Sequence, residues 1–369
     1  MFEKLYGLSC VENQVLAILR ENGIDVRPLY YNSAIALKDL FYAMVIQDEK
    51  PHHYHGIPRI QDELKEWGLL GIKRRRPQTM KTIRERIRSC GDGEYVLVRV
   101  TPEFTRSVLH ARGFREDHFV RVAAEGKEFI VYNDIPETTV RLSAAAFGKS
   151  CCGEYLLISL RGPIDESVKE RLWQRRLFKP EKQTPYLFSE ADRDCVANNA
   201  QGLRNLLGVY KLMRYRMQEY YGQYVDTQFI RSAMPALEQY YAKAEYLNLR
   251  QRNAQQPLFE LLCELNRLDT ELMNTLAEKL TANAMQRQVD RILSDMSFLE
   301  DSPSPDMTLR EDLGLDSLRL VELMVELENA LTIQLEESDL DPENLLTVGD
   351  LYRLLEKYPV GSTLETKEK

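Results

Sequence analysis

The chain has 369 residues, 44% of them apolar and 29% charged, with a net charge of −8. That length allows two or three domains, each with its own core, and the composition is that of an ordinary globular protein. Apolar runs as short as Tyr95–Val100 and Tyr155–Leu160 exclude a spanning helix, and Met1-Phe2-Glu3-Lys4-Leu5 lacks the basic and apolar regions of a signal peptide, so a cytoplasmic protein is expected.

Val11, Val15, Leu16, Ile18 and Leu19 recur on one face of a helix expected from Cys10 to about Asn22, with Ser9 as N-cap and Gly23 closing it. None of the six cysteines (Cys10, Cys90, Cys151, Cys152, Cys195, Cys263) forms a CxxC pair or a disulfide framework. Cys10 is set apart by its place in the first helical turn. There the helix dipole and unpaired N–H groups lower a thiol pKa and offer donors to an oxyanion.

Residues 31–69 read as mostly helical, best over Ala34–Met44 and Ile60–Trp67. His52, His53 and His55 lie in the intervening loop, but no carboxylate or cysteine completes a metal-ligand spacing, so no metal is expected. Lys73, Arg74, Arg75 and Arg76, then Lys81, Arg84, Arg86 and Arg88 on an expected helix, form a basic run. It is either a solvated face or a landing site for an acidic partner or a phosphate.

Between 94 and 161 the period becomes strand-like: Tyr95–Val100, His118–Ala123, Glu128–Asn133, Thr138–Leu142 and Glu154–Leu160. An antiparallel sheet against the N-terminal helices follows, an α+β arrangement. Ala124-Glu125-Gly126-Lys127 is the hairpin turn between the second and third of these strands. A two-residue turn at Glu125-Gly126 sets His118 opposite Asn133, and a loop one residue longer sets it opposite Asp134. In either register Cys10, His118 and Asn133 or Asp134 have the chain order of a papain-like triad: nucleophile, base and tautomer-fixing group.

Residues 5–161 resemble the N-terminal domain of the butirosin-pathway acyltransferase family and, more distantly, the papain-like peptidases of bacteriocin exporters. The resemblance lies in Tyr6-Gly7-Leu8-Ser9-Cys10 leading into a helix with Glu12, in Asp117-His118-Phe119-Val120, and in Tyr132-Asn133-Asp134. It implies transfer of an acyl group from a carrier thioester, through the cysteine, to an amine, and it names Cys10, His118 and Asp134. Two departures stand out. The peptidases' upstream glutamine has no counterpart in residues 1–9, and Ile135 separates Asp134 from Pro136.

Beyond Gly162-Pro163 helices are expected: one to about Leu177, a linker at Lys179–Pro185, a long helix from the Ser189/Asp192 cap to about Tyr221, another over Gln228–Leu249, and a leucine-rich one through Leu272. Tyrosines and arginines mingle here, but with no recognisable nucleic-acid motif they read as helix interfaces, and no nucleic-acid partner is expected.

Toward the end, Thr281–Met296 fits an amphipathic helix, and Asp301–Thr308 a loop. A second helix follows Ser317 with Glu322, Glu326 and Glu328 toward solvent, Asp339-Leu340-Asp341-Pro342 can seed a third, and Thr347 caps a last one. Residues 280–358 resemble acyl and peptidyl carrier proteins, with Leu313-Gly314-Leu315-Asp316-Ser317-Leu318 as the attachment loop. The resemblance implies a four-helix bundle with 4'-phosphopantetheine bound covalently to Ser317. From residue 301 on, 17 acidic residues face 6 basic ones, a net −11, whereas residues 1–300 hold 40 against 43, a net +3. Such opposite charges steer an encounter.

The expected division is a papain-like domain at 1–162, a helical region at 163–278, a carrier domain at 279–358 and a flexible tail at 359–369. The expected activity is that of a carrier-fused cysteine acyltransferase of natural-product assembly. Its partners would be a phosphopantetheinyl transferase, an acyl- or aminoacyl-activating (adenylating) enzyme and an amine acceptor, with no membrane. Thioester hydrolysis or peptide trimming is the alternative enzyme, and a scaffold presenting the carrier is the non-enzymatic one.

Overall fold

The computed structural model describes residues 9–54, 59–66, 68–111, 118–161, 182–250, 255–297, 302–336, 338 and 345–358. The expectations for His55, for a helix ending near Leu177, for Asp339–Pro342 and for the tail lie outside them. The chain divides into two compact units, with the C-terminal change-over between Met273 and Asn274.

The first unit is built on a six-stranded sheet in the order β1-β6-β2-β3-β4-β5, every pair antiparallel. The strands are β1 (Leu70–Arg75), β2 (Glu94–Val100), β3 (His118–Glu125), β4 (Glu128–Asn133), β5 (Thr138–Ser143) and β6 (Cys151–Leu160). All but β1 coincide with the β-rich runs of the sequence. In β1 the basic run hides the strand: it pairs with β6, and its charged half is exposed, as suits a sheet edge that must resist further pairing. One face of the sheet buries Val96, Val98, Val120, Val122, Phe129 and Val131 together with Ile83 and Ile87 of α4 (Met80–Arg88) and Phe147 of α6 (Ala144–Ser150).

The turn between β3 and β4 corrects both expected registers. Glu125 pairs with Glu128, so the two turn residues are Gly126 and Lys127, and paired indices sum to 253 rather than 251 or 252. Gly126 takes φ +58, the left-handed conformation this tight turn needs and glycine adopts freely. The ladder ends at Arg121–Tyr132, so His118 directly faces neither Asn133 nor Asp134 across it.

Before the sheet come α1 (Cys10–Glu21), a 3-10 turn at Arg27–Tyr30, α2 (Leu37–Phe41), which runs on as a π-helical turn over Tyr42–Ile46, and α3 (Ile60–Glu66). Between β2 and β3 lies α5 (Pro102–Ser107). After the sheet come α7 (Glu190–Asn198), α8 (Ala200–Tyr221), α9 (Gln228–Arg250) and α10 (Gln255–Ser297). Two boundaries differ from expectation. The long helix from Ser189 to Tyr221 is broken at Asn199, whose side chain accepts from Gly202 N–H (2.7 Å) and donates to the Val45 carbonyl (3.0 Å). Gly202 must be glycine there, because a Cβ would stand 2.2 Å from the Met44 carbonyl oxygen. Conversely, the leucine-rich helix and the first carrier helix are one element, α10, since no Gly or Pro interrupts residues 273–281.

A buried polar hub ties the helices of this unit together. Arg214 of α8, fully buried, donates to Asp269 of α10 through Nε (2.8 Å) and to the Ile35 carbonyl (2.7 Å). Asp269 also accepts from the Tyr210 hydroxyl (2.9 Å) and from Leu37 N–H (3.0 Å). Removing one partner of such a pair leaves a charge buried without compensation. Asp269→Ala is therefore expected to destabilise the first unit by about 3–5 kcal/mol, read as a lowered urea midpoint. A midpoint within error of wild type would show that Arg214 finds another partner.

The second unit contains the C-terminal part of α10, then α11 (Ser317–Leu331) and α12 (Val348–Leu355). Its core joins Val289 and Leu293 of α10, Leu309 and Leu315 of the loop, Leu323 and Leu327 of α11, and Leu351 of α12. The loop is fastened to the start of α12 by Leu309 N–H on the Leu346 carbonyl and Val348 N–H on the Met307 carbonyl, both 2.9 Å.

Candidate functional site

In the first unit, Cys10 is the first residue of α1. Ser9 has the extended backbone of an N-cap, and its hydroxyl accepts from Glu12 N–H (3.1 Å). Asn13 N–H bonds the Ser9 carbonyl, so by helix geometry the Cys10 and Val11 N–H groups lie outside the intrahelical ladder. The thiol is half-buried.

His118 opens β3 and is buried, with 1% of its surface exposed. Its Nε2 lies 2.9 Å from Asn133 Oδ1 and 3.0 Å from Asp134 Oδ1, and both of those residues are buried too. The sequence left open which of the two meets the imidazole; the structure brings both to it. They reach it past the end of the β3–β4 ladder, where His118 still pairs with Val100 of β2 and Asn133 with Thr138 of β5. Asn133 is held in place by its own amide, which donates to the Pro136 carbonyl (2.7 Å).

Cys10 lies close enough to His118 to act on the ring as a hydrogen-bonding and charged neighbour. Burial would lower the His118 pKa, but the hydrogen bonds and charges of Asp134 and Cys10 outweigh it and push the value up to about 10. The imidazole is therefore protonated at neutral pH. Its contribution to stability is fully present below the ordinary pKa of 6.5 and is lost as the pH rises through about 10.

Asp134→Asn removes the charged partner while leaving the burial. The His118 pKa is then expected to fall by about two pH units or more, followed as the imidazole C–H titration by NMR. A titration still centred near 10 would mean that Asp134 does not hold the proton on the ring.

Two features of the site were not anticipated from sequence. Asn13, one turn after Cys10, donates from Nδ2 to Asp134 Oδ2 (3.1 Å), and Gln14 donates to the Tyr132 carbonyl (3.1 Å). On the other side of α1, Glu12 is paired with Arg216 of α8 at 2.8 Å, both buried, and Arg216 lies over the Tyr30 ring (4.9 Å). The available signal was a run of three polar residues, Glu12-Asn13-Gln14, in an otherwise apolar helix whose every residue from Glu12 to Leu19 is buried. Buried polar groups are kept where they have partners.

In the second unit, Ser317 is the first residue of α11 and is exposed. The Asp316 carboxylate takes the cap, accepting from Leu318 N–H (3.0 Å) and Arg319 N–H (2.9 Å). The Ser317 hydroxyl, with no hydrogen-bond partner among the described residues, faces solvent at the positive end of the helix. Leu313 and Leu315 are buried on either side of Gly314 and so anchor the loop. Leu318, Val321 and Val325 form an exposed apolar stripe on α11, while Leu320, Leu323, Met324 and Leu327 face the core.

Among the described residues no group of three or more His, Cys, Asp or Glu could hold a metal ion, and no helix is long and apolar enough to cross a membrane.

The molecule is thus a mixed α+β chain with an antiparallel sheet N-terminally and a helical C-terminal region that carries an exposed serine at a helix start. Residues 287–355 match the family described as the phosphopantetheine attachment site. This domain is a site of covalent 4'-phosphopantetheine attachment on a serine, which implies a phosphopantetheinyl transferase and enzymes that load an acyl group. No solved structure matches the chain.

Proposed function

We propose that the chain is a carrier-fused cysteine acyltransferase of natural-product biosynthesis, with a papain-like site in its first unit and Ser317 as the tether in its second. The observation that carries this reading is the meeting of residues from three separate stretches of chain: His118 Nε2 stands 2.9 Å from Asn133 Oδ1 and 3.0 Å from Asp134 Oδ1, and Cys10 is a close neighbour of the same ring. Ser317 fits the prosthetic group because its hydroxyl is exposed and uncommitted while its neighbour Asp316 satisfies the helix start. When bound, 4'-phosphopantetheine supplies a terminal thiol on which an acyl or aminoacyl group is held as a thioester.

The protein's residues then divide the work as follows. The Cys10 thiolate attacks the acyl carbonyl, with the Cys10 and Val11 N–H groups as donors toward the oxyanion. His118 gives its proton to the departing thiol, the thioester bond breaks and an acyl-Cys10 thioester forms. An amine attacks that carbonyl, His118 takes the amine's proton, an amide forms and the Cys10 thiolate leaves. Asp134 and Asn133 keep the ring oriented through both halves. An adenylating enzyme would supply the acyl group, and the setting is cytoplasmic.

The test is to load the chain with phosphopantetheine and an acyl group, add candidate amines and follow intact mass. Amide formation that depends on Cys10 supports transfer. Release to water with every amine would favour a thioester hydrolase, and a thioester stable under all conditions would leave only a scaffold role.

A further inference from the structure

One polar side chain of α1 closes a circuit through the site. Cys10 and Asn13 are three residues apart, so they share a helical face. Cys10 is a close neighbour of His118, His118 Nε2 stands 3.0 Å from Asp134 Oδ1, and Asp134 Oδ2 accepts from Asn13 Nδ2 at 3.1 Å. The same helix therefore carries the thiol at one end of the chain of contacts and an amide donor at the other. Asn13, His118 and Asp134 are each no more than 4% exposed, so water cannot readily replace a lost donor.

We propose that Asn13 is a positioning residue for the acyl-transfer site: it holds the Asp134 carboxylate in the rotamer that faces the His118 ring beside Cys10. This rests on the reading of Cys10 as an activated nucleophile. A carboxylate has two oxygens and one free torsion that matters here. His118 Nε2 stands 3.0 Å from one oxygen, which makes no hydrogen bond among the described residues, so without a donor on the other the group is free to swing out of line. The Asn133 amide is already given to the Pro136 carbonyl. The donor must come from α1 to be useful, since only then does any shift of the helix move nucleophile and carboxylate together.

The experiment measures the pH dependence of Cys10 alkylation by iodoacetamide, located by peptide mass, in the full chain and in Asn13→Leu and Asn13→Ala. Both variants remove the donor, but the leucine preserves most of the volume and the alanine leaves a cavity. The expected result in both is an alkylation rate near pH 6 lowered on the order of tenfold or more and a fall in the His118 imidazole titration. If either variant fails to fold, the other supplies the same reading. A wild-type profile in a folded variant, even one of lower stability, would overturn the positioning role while leaving the nucleophile intact. A wild-type Cys10 that alkylates no faster at pH 6 than a free thiol would remove the activated nucleophile itself, and the role of Asn13 with it.

Discussion

Ser317→Ala is expected to end all uptake of 4'-phosphopantetheine. The modification needs an oxygen to form its phosphodiester, and the neighbouring side chains offer none that is equivalent: Asp316 is consumed in capping two N–H groups, and Leu318 and Leu315 have no hydroxyl. The loss should be chemical rather than structural. Ser317 is exposed, alanine is the better helix former, and surface changes of this kind stay within about 0.5 kcal/mol. Incubating each chain with a phosphopantetheinyl transferase and coenzyme A, and weighing it intact, separates the two. A mass gain surviving in Ser317→Ala would move the attachment elsewhere and undo the assignment of this loop.

Cys10→Ala carries the second large effect, a fall in amide formation on the order of 10³-fold or more, as when the nucleophile of a comparable triad is removed. Cys10 sits half-buried at the helix start with His118 as a close neighbour, so no other side chain can inherit the attack without rebuilding the site. Thioester loading at Ser317 should be untouched, because that serine belongs to the other unit. The variant thus separates charging from discharge: a chain that charges normally and holds its acyl group. An undiminished rate would mean that the amine attacks the carrier thioester directly, with no acyl-Cys10 stage.

Much of this was legible in the sequence, for identifiable reasons. Val, Ile, Phe and Tyr runs between turns gave β2 to β6 within a few residues, and the Ser9, Ser189 and Thr347 caps lie where short polar side chains preceded apolar periods. Ser317 and its loop were readable because the attachment motif is local. The strand β1 was not, because exposed edge positions accept Lys and Arg as readily as a helix surface does. The partner of His118 could not be fixed either. Its identity depends on a turn shifted by one residue, and on contacts made where the strands diverge rather than within their pairing. The ties from Asn13 to Asp134, Glu12 to Arg216 and Arg214 to Asp269 span separations of 121, 204 and 55 residues, beyond any periodicity.

Those long-range ties also bear on how such a chain can be taken apart and recombined. A cut just after β6 looks natural, since the sheet and the residues around His118 are complete by Leu160. Yet it would strip Glu12 of its Arg216 partner and leave the Ile35 carbonyl and the Leu37 N–H without the side chains that serve them. The smallest transplantable form of the first unit therefore extends to about Met273, and any graft of a foreign carrier has to be spliced inside α10 rather than at the proline-bearing stretch near residue 180.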